Sequence, residues 1–264
     1  MVQQEQYLEN KKQQLVEQPD FNLMDGFQMI DSKNLGWVSA PQVLTFLFES
    51  GCYCHKDDVY NFTRRYDRDH DSRLLYSDFC EAITPNDGYY QHALNNRKHK
   101  YLHYPNIPKK DFFTENTRAA FFDVFKSHFE VDENVEIAKK KLTRKPSFNI
   151  HDAFASVDSY KNGKLTIDDI KRMMQRNGFH PTDTELQLLN KRFDRNLNGF
   201  ITYQEFMDEV LPRTSLLGSI PSMNVLKKAD VKMEDRRHHD FRIREEQQRS
   251  FVKGMERPQP VKGF

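Results

Sequence analysis

Twelve residues constrain this chain more than any others: 194–205, DRNLNGFITYQE. Asp194, Asn196 and Asn198 set side-chain oxygens at loop positions 1, 3 and 5. Phe200 offers its carbonyl at position 7, and Thr202 at position 9 reaches in directly or through water. Glu205 closes the set at position 12 as a two-oxygen carboxylate. Calcium is a hard cation that takes about six to eight oxygens in a flexible shell, and this spacing supplies them. Gly199 stands at position 6, where the sharp turn needs a backbone conformation that only glycine adopts cheaply. Ile201 at position 8 is the apolar residue expected to pair with a partner loop. The alternative is an Asn/Gly-rich turn between helices that holds no ion.

The pattern resembles the EF-hand loop of the calmodulin superfamily, a helix–loop–helix unit that works in pairs. A partner precedes it at 158–169, DSYKNGKLTIDD. Asp158, Asn162, Gly163 and Leu165 keep positions 1, 5, 6 and 8. Tyr160 at position 3 is a poor ligand, and Asp169 at position 12 is one methylene shorter than glutamate. Shifting the chain by 127 residues overlays its first third on this second lobe without a gap. Asp31 then falls on Asp158, Gly36 on Gly163, Gly51 on Gly178, Arg65 on Arg192 and Asp67 on Asp194. Tyr76, Phe79 and Pro85 fall on Tyr203, Phe206 and Pro212. The chain is therefore expected to be all-α, with four EF-hands in two pairs, a long helical linker and an extended C-terminal tail.

The two added loops are unequal. The first, 31–42, carries Lys33, Leu35 and Gln42 at positions 3, 5 and 12. An ammonium in a cation site repels the ion, so this loop is expected to be structural only. The second, 67–78, has a full acidic triad in Asp67, Asp69 and Asp71, but Ser72 replaces the glycine and Asp78 closes it. The shorter carboxylate contracts the shell toward magnesium. The alternative is an acidic turn whose carboxylates are solvated.

Composition sets the bounds. With 37% hydrophobic and 30% charged residues, 264 residues suit two small helical lobes with long connections. Phe27, Phe62, Phe79, Phe154, Phe193 and Phe206 occupy positions that should face the lobe cores. No apolar run is long enough to span a membrane, and no signal-peptide pattern opens the chain. Cys52, Cys54 and Cys80 form neither a metal motif nor an even disulfide set, which points to reduced thiols. No phosphate-cradling loop, nucleophile motif or nucleic-acid recognition module is visible, so no enzyme and no nucleic-acid partner is expected. Residues 88–147 and 213–264 each carry 12 basic against 7 acidic residues, although the whole chain is only +1. Basic connectors suggest an acidic partner surface, and the alternative is solvated helices.

The segments read in order as a polar N-terminal helix (1–18), a first pair (19–87), a linker (88–147), a second pair (148–212) and a basic tail (213–264). Pro19-Asp20 is expected to start the first incoming helix. Tyr89, Tyr90, Leu94, Tyr101, Leu102 and Tyr104 line an arm that ends at Pro105 and Pro108. Thr114 should cap a helix with an apolar face of Phe121, Val124, Phe125 and Phe129, and Asp132 should cap a shorter one through Leu142. Ser147 or Asn149 should open the second pair, and 229–252 is a charged helix candidate.

Residues 64–101, RRYDRDHDSRLLYSDFCEAITPNDGYYQHALNNRKHKY, resemble EF-hand proteins of ciliary axonemes. So do RKPSFNIHDAFASVD (144–158), FDRNLNGFITYQEF (193–206) and LPRTS (211–215). The resemblance spans about residues 20–215. It implies a microtubule inner protein bound to tubulin and neighbouring axonemal proteins inside doublet microtubules, in the cytoskeleton of the cilium. Calcium is the expected ion, chiefly at the fourth loop, with magnesium a candidate at the second. Two other readings stand beside it: a calcium sensor that grips target helices, and a regulatory subunit of an enzyme. A sensor wants a methionine-lined groove, and the lobes hold only Met24, Met29, Met173, Met174 and Met207.

Overall fold

Every helix of the first pair has a counterpart 127 residues later, with the same bounds. The computed structural model describes residues 1–99 and 108–213. Expectations placed on Tyr101, Leu102 and Tyr104, and on the tail beyond Arg213, lie outside these. Eleven α-helices occur among the described residues. The first pair holds α2 (Leu23–Ile30), α3 (Ala40–Glu49), α4 (Lys56–Tyr66) and α5 (Tyr76–Ile83). Helix α1 (Val2–Val16) precedes it, and α6 (Gly88–Asn95) and α7 (Glu115–Thr143) follow it. The second pair holds α8 (Ile150–Val157), α9 (Ile167–Arg176), α10 (Asp183–Phe193) and α11 (Tyr203–Val210).

Local chemistry sets these ends. Asn22 and Asn149, again 127 apart, cap α2 and α8 through their side-chain oxygens. His55 with Asp58 and Thr182 with Glu185 form capping boxes on α4 and α10. Between the helices run short strands, β1 (Trp37–Ser39) with β2 (Arg73–Leu75) and β3 (Lys164–Leu165) with β4 (Ile201–Thr202), both pairs antiparallel. Val38 faces Leu74 and Leu165 faces Ile201, so the position-8 residues meet as the spacing required.

Two expectations are corrected. Pro19 and Asp20 lie in a turn, and the first incoming helix starts at Leu23 under the Asn22 cap. The Asp20 carboxylate instead accepts the Thr114 amide (2.7 Å) and the Thr117 hydroxyl, tying down the start of α7. Asp132 caps nothing. It lies in the middle of α7, a continuous helix of 29 residues, because no breaker interrupts 115–143 and arginines satisfy its carboxylate. Thr114 does cap α7, as expected.

Helix α7 does two jobs. Its first half enters the first lobe, where Phe121 is fully buried among Phe21, Phe46, Phe79, Phe113, Phe122 and Phe125 at ring-centroid distances of 5.2–6.3 Å. Phe27 and Phe62 complete the same core. Its second half, 129–143, is the 127-residue counterpart of α1 and packs against it through Leu8, Val131 and Val135. The duplicated unit therefore includes helix α1, ahead of the first loop. In the second lobe, Phe154, Leu165, Leu189, Phe193 and Ile201 form the core. Phe206, the counterpart of the fully covered Phe79, is only partly buried there.

The two halves meet at a ring of charges. Arg65 donates to Glu5 (2.8 Å) and Asp132 (3.3 Å), while its counterpart Arg192 donates to Asp132 (3.0 Å) and to Glu5. Glu5 and Asp132 are themselves 127 apart. Each arginine thus grips the carboxylate of its own half and that of the other, as in an isologous interface between two copies. The same correspondence recurs nearby: Glu9 accepts the Asn86 amide (2.6 Å), and Glu136 accepts the Arg213 amide (2.7 Å). Burial alone would raise the Asp132 carboxyl, but Arg65, Arg192 and Arg213 outweigh it and hold it down at about 2. The same two arginines, Arg65 and Arg192, hold Glu5 below the ordinary range against its own burial.

Candidate metal centres

All four loops share one backbone. The position-1 carboxylate, from Asp31, Asp67, Asp158 or Asp194, is buried and accepts the amides of positions 5 and 6. Position 4 is left-handed in each: Asn34, His70, Lys161 and Leu197 have φ of 53°, 60°, 53° and 55°. Position 6 is left-handed too, with Gly36, Gly163 and Gly199 at 78°, 74° and 85° and Ser72 at 64°. Gln42, Asp78, Asp169 and Glu205 at position 12 each reach back to the amide of position 9. The loops differ only in what their side chains offer an ion.

Loop four, 194–205, offers most. Asn196 and Asn198 hold local turns with their side-chain oxygens, which keep a second lone pair for an ion. Glu205 Oε2 accepts the Thr202 amide (2.9 Å) and hydroxyl (2.8 Å), while its Oε1 is buried without a partner. An orphaned buried carboxylate oxygen at position 12 is what a cation site wants, and the donor set fits a hard ion. Phe200 contributes backbone at position 7, with the Lys164 ammonium 3.9 Å above its ring.

In loop two, Asp67, Asp69 and Asp71 bring one carboxylate oxygen each to within 4.8 Å of one another. Burial pushes the Asp67 carboxyl up, and crowding by Asp69 adds to it. A cation there would relieve that repulsion. Asp78 is not part of the group: its oxygens face the Leu75 amide and the Ser77 hydroxyl.

In loops one and three, side chains of the chain itself bring positive charge. Arg172, one turn into α9, donates to Asp169 (2.8 Å) and to the Tyr160 phenol (3.1 Å), joining positions 12 and 3 of loop three. Burial would raise the Asp169 carboxyl, but the Thr166 amide and hydroxyl and Arg172 hold it low. Asp158 and Asn162 keep their places in that loop, yet the acid they need is already paired. At loop one, Lys109 from the linker donates to the carbonyls of Gln28 and Asp31, both at 2.7 Å. Sequence reading missed Arg172 because an Asp–Arg pair three residues apart is an ordinary helix-surface contact.

Residues 148–211 match the family described as EF-hand domain pair. Among curated relatives, human centrin-3 is 20% identical over 75% of this chain and 86% of its own length. The probable calcium-binding protein CML18 of Arabidopsis thaliana is 31% identical over 28% of this chain and 46% of its own. The calcium-dependent protein kinase 7 of the same plant matches at 29% over 28% of this chain. The chain spans only 14% of that kinase and less than half of CML18. A solved homolog of programmed cell death 6 protein from Leishmania major Friedlin aligns over 73% of this chain and 76% of its own at 14% identity, with a TM-score of 0.22. Residues 148–211 are thus similar in sequence to an EF-hand domain pair, in agreement with the loop geometry of this region.

Proposed function

We propose that this chain is a structural EF-hand protein with four hands in two pairs, seated on the doublet microtubule lattice of cilia as a microtubule inner protein. The observation that carries the reading is the occupied first lobe. A calcium sensor exposes a groove for a target helix. Here Phe121, Val124 and Phe125 of the chain's own α7 are buried in that lobe. A lobe filled from within is a scaffold, and loop one beside it has Lys33 and Leu35 in place of two ligands. Calcium enters chiefly at loop four through Asp194, Asn196, Asn198, Phe200, Thr202 and Glu205. Loop two is a weaker site open to magnesium. The partners are tubulin, whose acidic surface suits the basic connectors, and neighbouring axonemal proteins.

Two experiments test this. The protein should remain with salt-washed axonemal doublets and leave only when the tubulin lattice dissolves; release by salt alone overturns the lattice assignment. Calorimetry on the full chain should show one dominant calcium event, of about 10⁻⁷–10⁻⁴ M, that Glu205→Gln abolishes. Two equal events, or none, would contradict the loop-four assignment.

A sensor reading has one observation in its favour. Met173, Met174, Phe206 and Val210 are only partly buried in the second lobe, and Phe179 is exposed. Their first-lobe counterparts Phe46, Leu47, Phe79, Ile83 and Cys52 are buried. That reading requires calcium to raise binding of a hydrophobic dye in the wild type and not in Glu205→Gln.

A further inference from the structure

We propose that calcium in loop four loosens the junction between the two halves of the molecule, with Glu209 as the transmitting side chain. The proposal rests on the loop-four reading above and extends it to regulation. Glu205 and Glu209 lie one turn apart on α11. For Glu205 to grip an ion with both oxygens, its carboxylate must turn from Thr202 toward Asp194, and the first turn of α11 moves with it. Glu209 then moves as well.

Glu209 is buried and heavily engaged. Its Oε1 accepts from Arg192 Nε at 2.5 Å and faces Lys139 Nζ at 3.5 Å, and its Oε2 faces Arg195 at 3.7 Å. Arg192 is the side chain by which the second half holds Glu5 of α1 across the junction, while it also pairs with Asp132 of its own half. Shifting Glu209 therefore withdraws the acid that orients Arg192. A cavity of about 510 Å³, lined by Glu5, Arg192, Arg195, Glu205 and Glu209 among others, leaves α11 room to shift.

The repeat supplies an internal control. The counterpart of Glu209 is Ala82, so the exit helix of loop two carries no such lever. The transmitting acid is present only in the half whose loop has the complete ligand set. Coupling is reciprocal: if calcium loosens the junction, the junction opposes calcium.

The full chain tests this by two readouts, with calcium as the only ligand. In calorimetry, Glu5→Gln should tighten calcium at loop four by about fivefold or more, although Glu5 lies far from the loop in sequence. Lys126→Gln, on an exposed pair of α7, should leave the affinity unchanged. In hydrogen exchange, calcium should speed the amides of α1 in the wild type, but not in Glu205→Gln or Glu209→Gln. If Glu5→Gln fails to fold, Asp132→Asn reads the same quantity. Calcium binding that leaves α1 exchange unchanged, or an affinity indifferent to both junction variants, overturns the latch and leaves loop four standing. Absence of any calcium event overturns the loop-four reading and the latch together.

Discussion

Small differences at equivalent positions decide what each loop can do. Arg172 places a guanidinium against Asp169 and Tyr160, so the position-12 acid of loop three is already paired within the chain. Ser72 keeps the backbone of its glycine counterparts at φ 64°, a conformation that costs a residue with a Cβ roughly 1–2 kcal/mol. Ser72→Gly is therefore expected to stabilise the first lobe by up to about 1 kcal/mol, partly offset by the greater freedom of glycine when unfolded. A urea midpoint followed by Trp37 emission checks it; a lower midpoint would mean the serine is held by something more than its backbone. The ligand spacing was legible in the sequence because coordination chemistry fixes it. The Arg172 contact was not, since its spacing is shared by many surface pairs that do nothing.

Helix α7 shows how two tasks fuse into one element. Its apolar face was legible from periodicity, yet its length was not, because Asp132 reads as a cap until its arginine partners are seen. Phe121→Ala should cost about 3–5 kcal/mol, as truncation of a buried aromatic does, and a denaturation curve would measure it. A loss under about 1 kcal/mol would show that the lobe closes without α7. The same helix carries a pH response. His128 is buried, with Nε2 3.0 Å from the Ala82 carbonyl and Nδ1 3.4 Å from the Tyr66 hydroxyl. Burial, with Lys12 and Arg65 nearby, holds its pKa well below the ordinary 6.5. The unfolded chain therefore takes up the proton first as pH falls. The stability from neutral His128 is complete above pH 6.5 and declines below it. The thermal midpoint should drop between about pH 6.5 and 5, and the drop should be smaller in His128→Gln. Equal slopes in the two proteins would remove His128 as the cause.

At the scale of the whole molecule, the junction makes one unit of residues Met1–Arg213. Removing one member of a buried ion cluster costs about 3–5 kcal/mol, because its partners stay buried and uncompensated. Arg192→Leu should carry that cost and split a single calorimetric transition into two, one per lobe; one undivided transition would show that packing between α1 and α7 suffices. The sequence held a signal for this junction. The 127-residue overlay, carried back past the first loop, aligns Glu5 with Asp132, Leu8 with Val135, Glu9 with Glu136 and Lys12 with Lys139. It stopped short because a polar helix offers no motif to prompt its extension. The crossed arginines have one more consequence, which concerns dilution. Two separate copies meeting through such a ring would part as their concentration fell, and their union would depend on abundance. Joined in one chain, each half meets the other at an effective concentration set by the connection alone. The paired form therefore persists in a single molecule, however few its neighbours.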